Sequence, residues 1–465
     1  MTSEFIENRT FDEISIGDSA SLERRLTLRD IKLFAVISGN VNPAHVDEDY
    51  ARSSRFHEVI AHGLWGGTLI STVLGTQLPG PGTIYLNQSL SFRRPVALGD
   101  LIRASVTVTK MSSANHRVLL DCLCVNQEGE TVISGEAEVL APTEKVKRPR
   151  WVLPQVHMLE RVHLHRLLAA AKERPPVRTG VVHPTDEASL AGAIAAAEGG
   201  LILPLLIGPE DKIRAAAEAA EIDLTPYDLI GTEHSHAAAA KAVELARAGD
   251  VQALMKGKLH TDELMRAVLA RESGLRTERR LSHVFAFDVP TYAQPLFITD
   301  AAINVSPTLE HKRDIVQNAI DLAHALHIEC PKVAILSAVE TVTPTIPSTL
   351  DAAALCKMAD RGQLSGALVD GPLAFDNAIS SEAARIKGIT SPVAGQADIL
   401  VVPDLEAGNM LAKQLEYLGG AEGAGIALGA RVPIILTSRA DDTVTRLASC
   451  ALAVMLIQHR RETLA

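Results

Sequence analysis

Cysteine is scarce and scattered. The 465 residues hold five, at positions 122, 124, 330, 356 and 450, and none forms a CxxC pair. An odd number without paired spacing argues against a disulfide framework and for a reducing compartment. Long apolar runs are absent as well. No stretch of about 18 apolar residues occurs, so no helix should span a membrane. The opening MTSEFIENRTFDEIS is acidic and lacks an apolar core, which excludes a signal peptide. A cytoplasmic location is expected. There is no long basic run, and the formal net charge is −11. Non-specific nucleic-acid binding is thereby disfavoured. No Cys/His cluster has zinc spacing. His163 and His165, like His234 and His236, are two residues apart, and helical residues at that spacing do not face each other. No metal is expected. Internal repeats and low-complexity tails are also missing.

What is present is an ordinary soluble composition, 47% apolar and 22% charged. The length exceeds one ordinary core and predicts two or three domains. The character changes near residue 142. Before it, GLWGGTLISTVLGTQL (63–78) reads as a mostly apolar helix. TIYLNQSLSFRRPV, LIRASVTVTKMS, RVLLDCLCVNQ and TVISGEAEVLA follow, rich in alternating and β-branched residues. They predict an antiparallel meander wrapped around one central helix. PTEKVKRPRWVLP, with three prolines and four cationic residues, reads as a linker. Beyond it, short apolar runs (TGVVHP, LILPLLIG, ALMKG, HVFAFDV, LFITDAA, KVAILSAV, GALVDG, ADILVVPDL, VPIILTS) alternate with Ala-rich helical segments. That alternation predicts a doubly wound, mainly parallel α/β sheet, large enough for two lobes and a cleft. The expected organisation is 1–141, a linker at 142–154, and 155–465.

SGNVNPAHVD, Ser38 to Asp47, carries a histidine on an Asn-Pro turn. A histidine exchanges protons near neutral pH. Asn40 is the residue best placed to help His45, yet an amide cannot take up a proton there. Taken alone, the stretch has a plainer reading as well, an Asx-Pro turn with a structural histidine. Asp47 reads as the N-cap of a following helix, EDYARSS. Two glycine motifs fail as nucleotide sites. GAEGAGIALG has Leu at position 428 and follows a helix, and MKGKLHT lacks P-loop spacing.

FAVISGNVNPAHVDEDYA, FHEVIAHGLWGGTLIS and the later FRRPV together resemble the MaoC-type (R)-specific enoyl-CoA hydratases, over about residues 10 to 140. The resemblance implies a hot-dog fold. It also implies an Asp and a His that add water across an enoyl thioester, with the thioester oxygen held at the start of the central helix. His45 takes the histidine's place. Gly63 sits where an acyl oxygen would approach the helix N-terminus, and Asn42 orients the loop. The family's Asp is replaced here by Asn40, so one acid/base group is missing by residue type. The resemblance leaves two readings: a hydratase, or an acyl-CoA-binding module that turns over poorly.

Three stretches of the second half resemble the phosphate acetyl- and butyryltransferases. They are MKGKLHTDELMRAVL with FITDAAINVSPTLEHK, SAVETVTPTIPSTLDA with GALVDGPLAFDNAIS, and VVPDLEAGNMLAKQLEYLGGAEGAGIALGARVPIILTSRADD. The implied reaction is acyl-CoA plus phosphate giving acyl phosphate plus free CoA. By that match Arg266 and Arg439 hold phosphate, and Ser438 lies beside the leaving sulfur. A carboxylate should accept the thiol proton. Acetyltransferases place an Asp where this chain has Thr445, which leaves Asp441 and Asp442 as candidates and points toward the butyryl-type branch of the family. Asn377, Glu340 and Asn409 are weaker candidates for the cleft. No cofactor is expected to remain bound. The partners are acyl-CoA and phosphate, and the hot-dog resemblance implies a homo-oligomer. The doubly wound, two-lobed shape also suits dehydrogenases of the isocitrate and isopropylmalate type.

Overall fold

The structure is a computed structural model and describes residues 4–154, 156, 162–436 and 442–464. It divides into two compact units, residues 1–158 and 159–465.

In the first unit the strands are β1 (Phe5–Glu7), β2 (Ser19–Arg25), β3 (Ile84–Gln88), β4 (Ser91–Phe92), β5 (Leu101–Ser112), β6 (Arg117–Val125), β7 (Thr131–Leu140) and β8 (Lys147–Pro149). The helices are α1 (Leu28–Ser38), α2 (Pro43–Val46), α3 (Glu48–Ser53) and α4 (Gly63–Thr76). The main sheet runs β2-β5-β6-β7-β3, with β4 also on β7, and every pairing in it is antiparallel. Burial alternates along β5 and β6, so one face of the sheet is covered. α4 belongs to the same core, burying Trp65, Leu69, Ile70, Val73 and Leu74. Each such side chain contributes roughly 1.5–3 kcal/mol of burial. Gly66 lets helix and sheet approach closely, because a Cβ there would lie 2.4 Å from Ile133 Cδ1.

The expected helix and meander are found. Three features were not expected. Polar SASLERR forms edge strand β2, and residues 28–38 form α1. The stretch 83–96 breaks into β3 and β4 where it crosses Gly135, since a Cβ there would lie 1.9 Å from the Ser89 carbonyl oxygen. The stretch read as a linker, 142–154, is corrected in part. Lys147–Pro149 pairs antiparallel with Phe5–Glu7. The prolines bar a helix but do not bar a short two-stranded edge.

The second unit carries β9 (Val177–Val182), β10 (Ile202–Gly208), β11 (Asp228–Gly231), β12 (Ala253–Lys256), β13 (Ser282–Asp288), β14 (Leu296–Thr299), β15 (Lys332–Leu336), β16 (Leu368–Leu373), β17 (Ile399–Val401), β18 (Glu422–Leu428) and β19 (Ile434–Ile435). Among the described residues they form one 11-stranded sheet, ordered β11-β10-β9-β12-β19-β18-β13-β14-β17-β15-β16. The outer blocks are parallel. The pairings β19–β18, β18–β13 and β13–β14 are antiparallel and reverse the direction between the blocks. Successive residues of one strand enter different cores. Val181 and Val182 do so in β9, Leu206 and Ile207 in β10, and Ile335 and Leu336 in β15. Both faces are therefore covered, which is why these strands read as continuous apolar runs. One core runs under the whole sheet. Over the other face the core is split in two, one part over each parallel block. No helix of the described residues is long and apolar enough to cross a membrane.

Candidate functional site

Two sites emerge, one in each unit. In the first unit, α1 ends at Gly39 in the left-handed region, φ 69°. The chain then turns through two side-chain clasps. Asn40 Oδ1 accepts the Asn42 N–H at 3.1 Å, and Asn42 Oδ1 accepts the Ala44 N–H at 3.1 Å, capping α2 ahead of Pro43. Asp47 caps α3 by accepting from the Asp49 and Tyr50 N–H groups. His45 is thus mounted between two caps.

Its Nδ1 lies 3.0 Å from the Ile60 carbonyl oxygen. A carbonyl only accepts, so Nδ1 carries the proton, and in the neutral ring Nε2 holds a free lone pair. The same logic puts the proton of His62 on Nε2, 3.0 Å from the Asn40 carbonyl oxygen. His62 is buried, its ring is 4.0 Å from that of His45, and its Nδ1 has no hydrogen-bond partner. Burial pushes the His62 pKa down, against the hydrogen bond to Asn40. A cavity of about 300 Å³ is lined by His45, Gly63, Phe92, Arg55, Arg93 and Arg94, among others. Gly63 opens α4 as expected, and a Cβ there would press on the Phe92 ring at 3.3 Å. The Asn40 side chain does not line the cavity. It serves the turn, and the Asn40 carbonyl holds His62. His62, Arg55, Arg93 and Arg94 enter the site beside the expected histidine. Of these, the Ala-His-Gly spacing and the FRRPV stretch were the sequence signals.

In the second unit a cleft of about 570 Å³ opens on the face where the core is split, beside antiparallel β13 and β18. Lys256, His260, His283, Asn409, Lys413 and Asp442 line it, together with the carboxylates Glu416 and Glu422. The Met255 to Thr261 stretch leaves the carboxyl end of β12 there, where ligands of open α/β sheets bind. Gly257 makes that turn possible, because a Cβ would meet the Val182 and His183 carbonyl oxygens at 2.6 Å. Lys256 is 8% exposed. Asn409 lines the cleft, and its Nδ2 donates to the Ala301 carbonyl at 3.3 Å. Its helix is capped by Asp404, not by Asn409. Thr445 also lines the cleft, and its N–H donates to Asp442 Oδ1 at 2.8 Å.

Ser438, Arg439 and Asp441 lie outside the described residues. The residues flanking them, Leu436 and Asp442, both line the cleft. Arg266 is not brought to it. The helix Thr261–Val268 buries Leu264, Met265 and Val268 and turns Arg266 outward, with a 73% exposed side chain and Asp262 at 3.9 Å. Asn377 does not line the cleft either. It is fully buried and its Nδ2 donates to Glu340 Oε1. Lys387, 2.7 Å from Glu340, holds that carboxyl's pKa down, and the Asn377 bond adds to the shift. Sequence reasoning missed Lys256, His283 and Lys413. MKGK was weighed against the P-loop pattern and counted within a family stretch without its first lysine being singled out, and HVFAFDV was read only as a strand. Among the described residues no group of three His, Cys, Asp or Glu side chains could hold a metal ion.

Comparison with known proteins divides the chain in the same way. Residues 15–120 match the family model described as MaoC like domain, and residues 232–454 match that described as phosphate acetyl/butaryl transferase. A phosphate acetyltransferase of Rhizobium meliloti is 64% identical over 296 residues, covering 64% of this chain and 94% of the relative. A phosphate butyryltransferase of Clostridium acetobutylicum is 41% identical over 292 residues, covering 63% of this chain and 97% of the relative. A crystal structure of a branched-chain phosphotransacylase from Enterococcus faecalis aligns with TM-score 0.54 and 31% identity, covering 60% of this chain and 99% of that one.

Proposed function

From a chain that belongs to the phosphate acetyl/butyryltransferase family and carries a MaoC-like domain before its acyltransferase unit, we propose a cytoplasmic enzyme that moves acetyl between coenzyme A and phosphate. The observation that carries this is the cleft of the second unit. It gathers Lys256, His260 and Lys413 at the carboxyl end of β12 and around β18, and Asp442 stands next in sequence to the serine, arginine and aspartate of the family stretch. Cations suit a phosphate dianion and the thiolate that it displaces. Ser438 and Arg439 complete the site by resemblance, with Asp441 or Asp442 as the base. Acetyl is favoured over butyryl by the higher identity to the acetyltransferase relative. We read the unit's architecture as akin to isocitrate and isopropylmalate dehydrogenases, on the strength of its two parallel blocks and its cleft. Phosphate-dependent release of free thiol is expected from acetyl-CoA, more slowly from butyryl-CoA, with arsenate able to replace phosphate. A folded protein that frees no thiol from acyl chains of two to four carbons would refute this reading.

A second reading concerns the first unit and rests on the geometry of His45. With Nδ1 turned to the Ile60 carbonyl, Nε2 is the basic atom of the neutral ring, and His45 shares a cavity with a helix start and three arginines able to take CoA phosphates. We read this unit as a slow (R)-specific enoyl-CoA hydratase, slow because Asn40 offers no proton. Exposed Val36, Ile37 and Val41 beside the loop suit a face covered in a homo-oligomer. The units keep separate cores. A chain shortened to begin at residue 155 is therefore expected to keep its acyltransferase kcat. A soluble, folded but inactive product would show that the units depend on each other.

A further inference from the structure

His283 stands in the middle of an apolar run, SHVFAFD, and is 1% exposed. Its Nδ1 is buried with no hydrogen-bond partner. A buried polar atom left unsatisfied costs about 1–3 kcal/mol, so a chain that keeps one has a use for it or tolerates a defect. The surroundings favour a use. His283, Phe285 and Phe287 alternate along β13 on the face that lines the cleft. The His283 and Phe285 rings meet edge to face at 4.4 Å, and Phe285 stacks on Phe287 at 5.4 Å. Thr299 Oγ1 donates to the His283 carbonyl at 2.8 Å and fixes the strand. The row leans over the neighbouring strand β18, whose glycines leave room for the rings. A Cβ at Gly425 would stand 3.0 Å from His283 Nε2, and one at Gly423 would stand 2.5 Å from the Phe287 ring. The glycine-rich stretch that failed as a nucleotide motif is the floor of this wall.

We propose that the row His283, Phe285 and Phe287 is the seat of the acyl group, and that the His283 imidazole donates a hydrogen bond to the acyl carbonyl oxygen. This rests on the acyl-transfer reading above. The cleft's lysines, Lys256 and Lys413, the latter shared with Glu416 at 2.7 Å, match the phosphate. An uncharged ring between aromatic side chains matches a neutral carbonyl that gathers negative charge as phosphate attacks. Burial pushes the imidazole down to about 3, so at neutral pH it is a constant donor of one N–H.

His283→Phe and His283→Leu remove the donor while keeping an apolar filling. The apolar variants are expected to match or exceed the native Tm, since an unsatisfied polar atom disappears. Their kcat/KM for acetyl-CoA is expected to fall at least about tenfold, mainly in kcat, with the KM for phosphate within about twofold. His283→Gln, which retains an N–H, is expected to recover part of the loss. A folded apolar variant with native kcat/KM, or with its loss confined to the phosphate KM, would overturn the assignment. If neither apolar variant folds, the imidazole serves the fold and the proposal falls. A native protein without exchange activity would instead sink the acyl-transfer reading beneath it, so the two failures are distinguishable.

Discussion

Lys256→Met is expected to lower kcat/KM for acyl transfer by about 100-fold or more, with a raised KM for phosphate. The substitution keeps most of the stem and removes the charge. Lys256 ends β12 at the carboxyl edge of the sheet and is 8% exposed. A cation held so far from solvent is little screened, and it acts strongly on an anion brought into the cleft beside it. The reaction brings in a phosphate dianion and expels a thiolate, so negative charge is present throughout. In a water-poor cleft a fixed cation stabilises it far more than in bulk solvent. Lys256→Arg is expected to restore only part of the rate, since a planar fork does not occupy the site of a compact ammonium. Steady-state kinetics with Tm as a folding control decides the matter. A folded Met variant at native kcat/KM would mean that phosphate is held elsewhere.

In the first unit the expected change is a gain. Asn40→Asp is expected to raise crotonyl-CoA hydration at least about tenfold, with little change in apparent affinity, and His45→Ala to abolish it. The turn should survive the change, because one carboxylate oxygen can accept the Asn42 N–H as Asn40 Oδ1 does now. Asn40 does not line the cavity now, so the gain requires the second oxygen to turn toward the cavity beside His45, where it can carry the proton that the amide cannot. His45 is already set as a base by the Ile60 carbonyl on Nδ1. Hydration rates of the two variants and of the native chain test this. A native enzyme that is already fast, and that Asn40→Asp leaves unchanged or slower, would show that the loop uses another base.

The strands of both units were legible because their burial pattern is written in residue type, alternating where one face is covered and continuous where both are. The edge strand β2 was not legible. SASLERR leaves most of its side chains in solvent, and its pairing is set by β5. β18 was hidden for the opposite reason. Its glycines are poor strand formers taken alone, and they are needed because His283 and Phe287 press in from β13 and because a Cβ at Gly425 would meet the Leu436 carbonyl oxygen at 2.7 Å. At the sites, the family resemblance implied that His45 and Gly63 share a site, but not that the Asn40 side chain serves a turn. Arg266 looked like a ligand by its place in a motif. Only the helix face, set by where Leu264 and Met265 are buried, shows that it points outward. A histidine inside an apolar strand carries no sequence signal of a missing partner.

The short clasp of β1 on β8 bears on how the molecule can be taken apart. Asn8 is 1% exposed, donates to the Glu144 carbonyl at 2.8 Å and accepts the Val146 N–H at 2.9 Å. Lys145 reaches back to the Asn8 carbonyl at 2.8 Å and to Glu13 at 2.7 Å. A dissection at residue 141, where the alternating pattern stops, would strip all of these partners from the amino-terminal segment. It would leave a bare strand edge open to other chains. A cut after residue 154 keeps the clasp, so the hot-dog unit is better excised with its basic tail than without it.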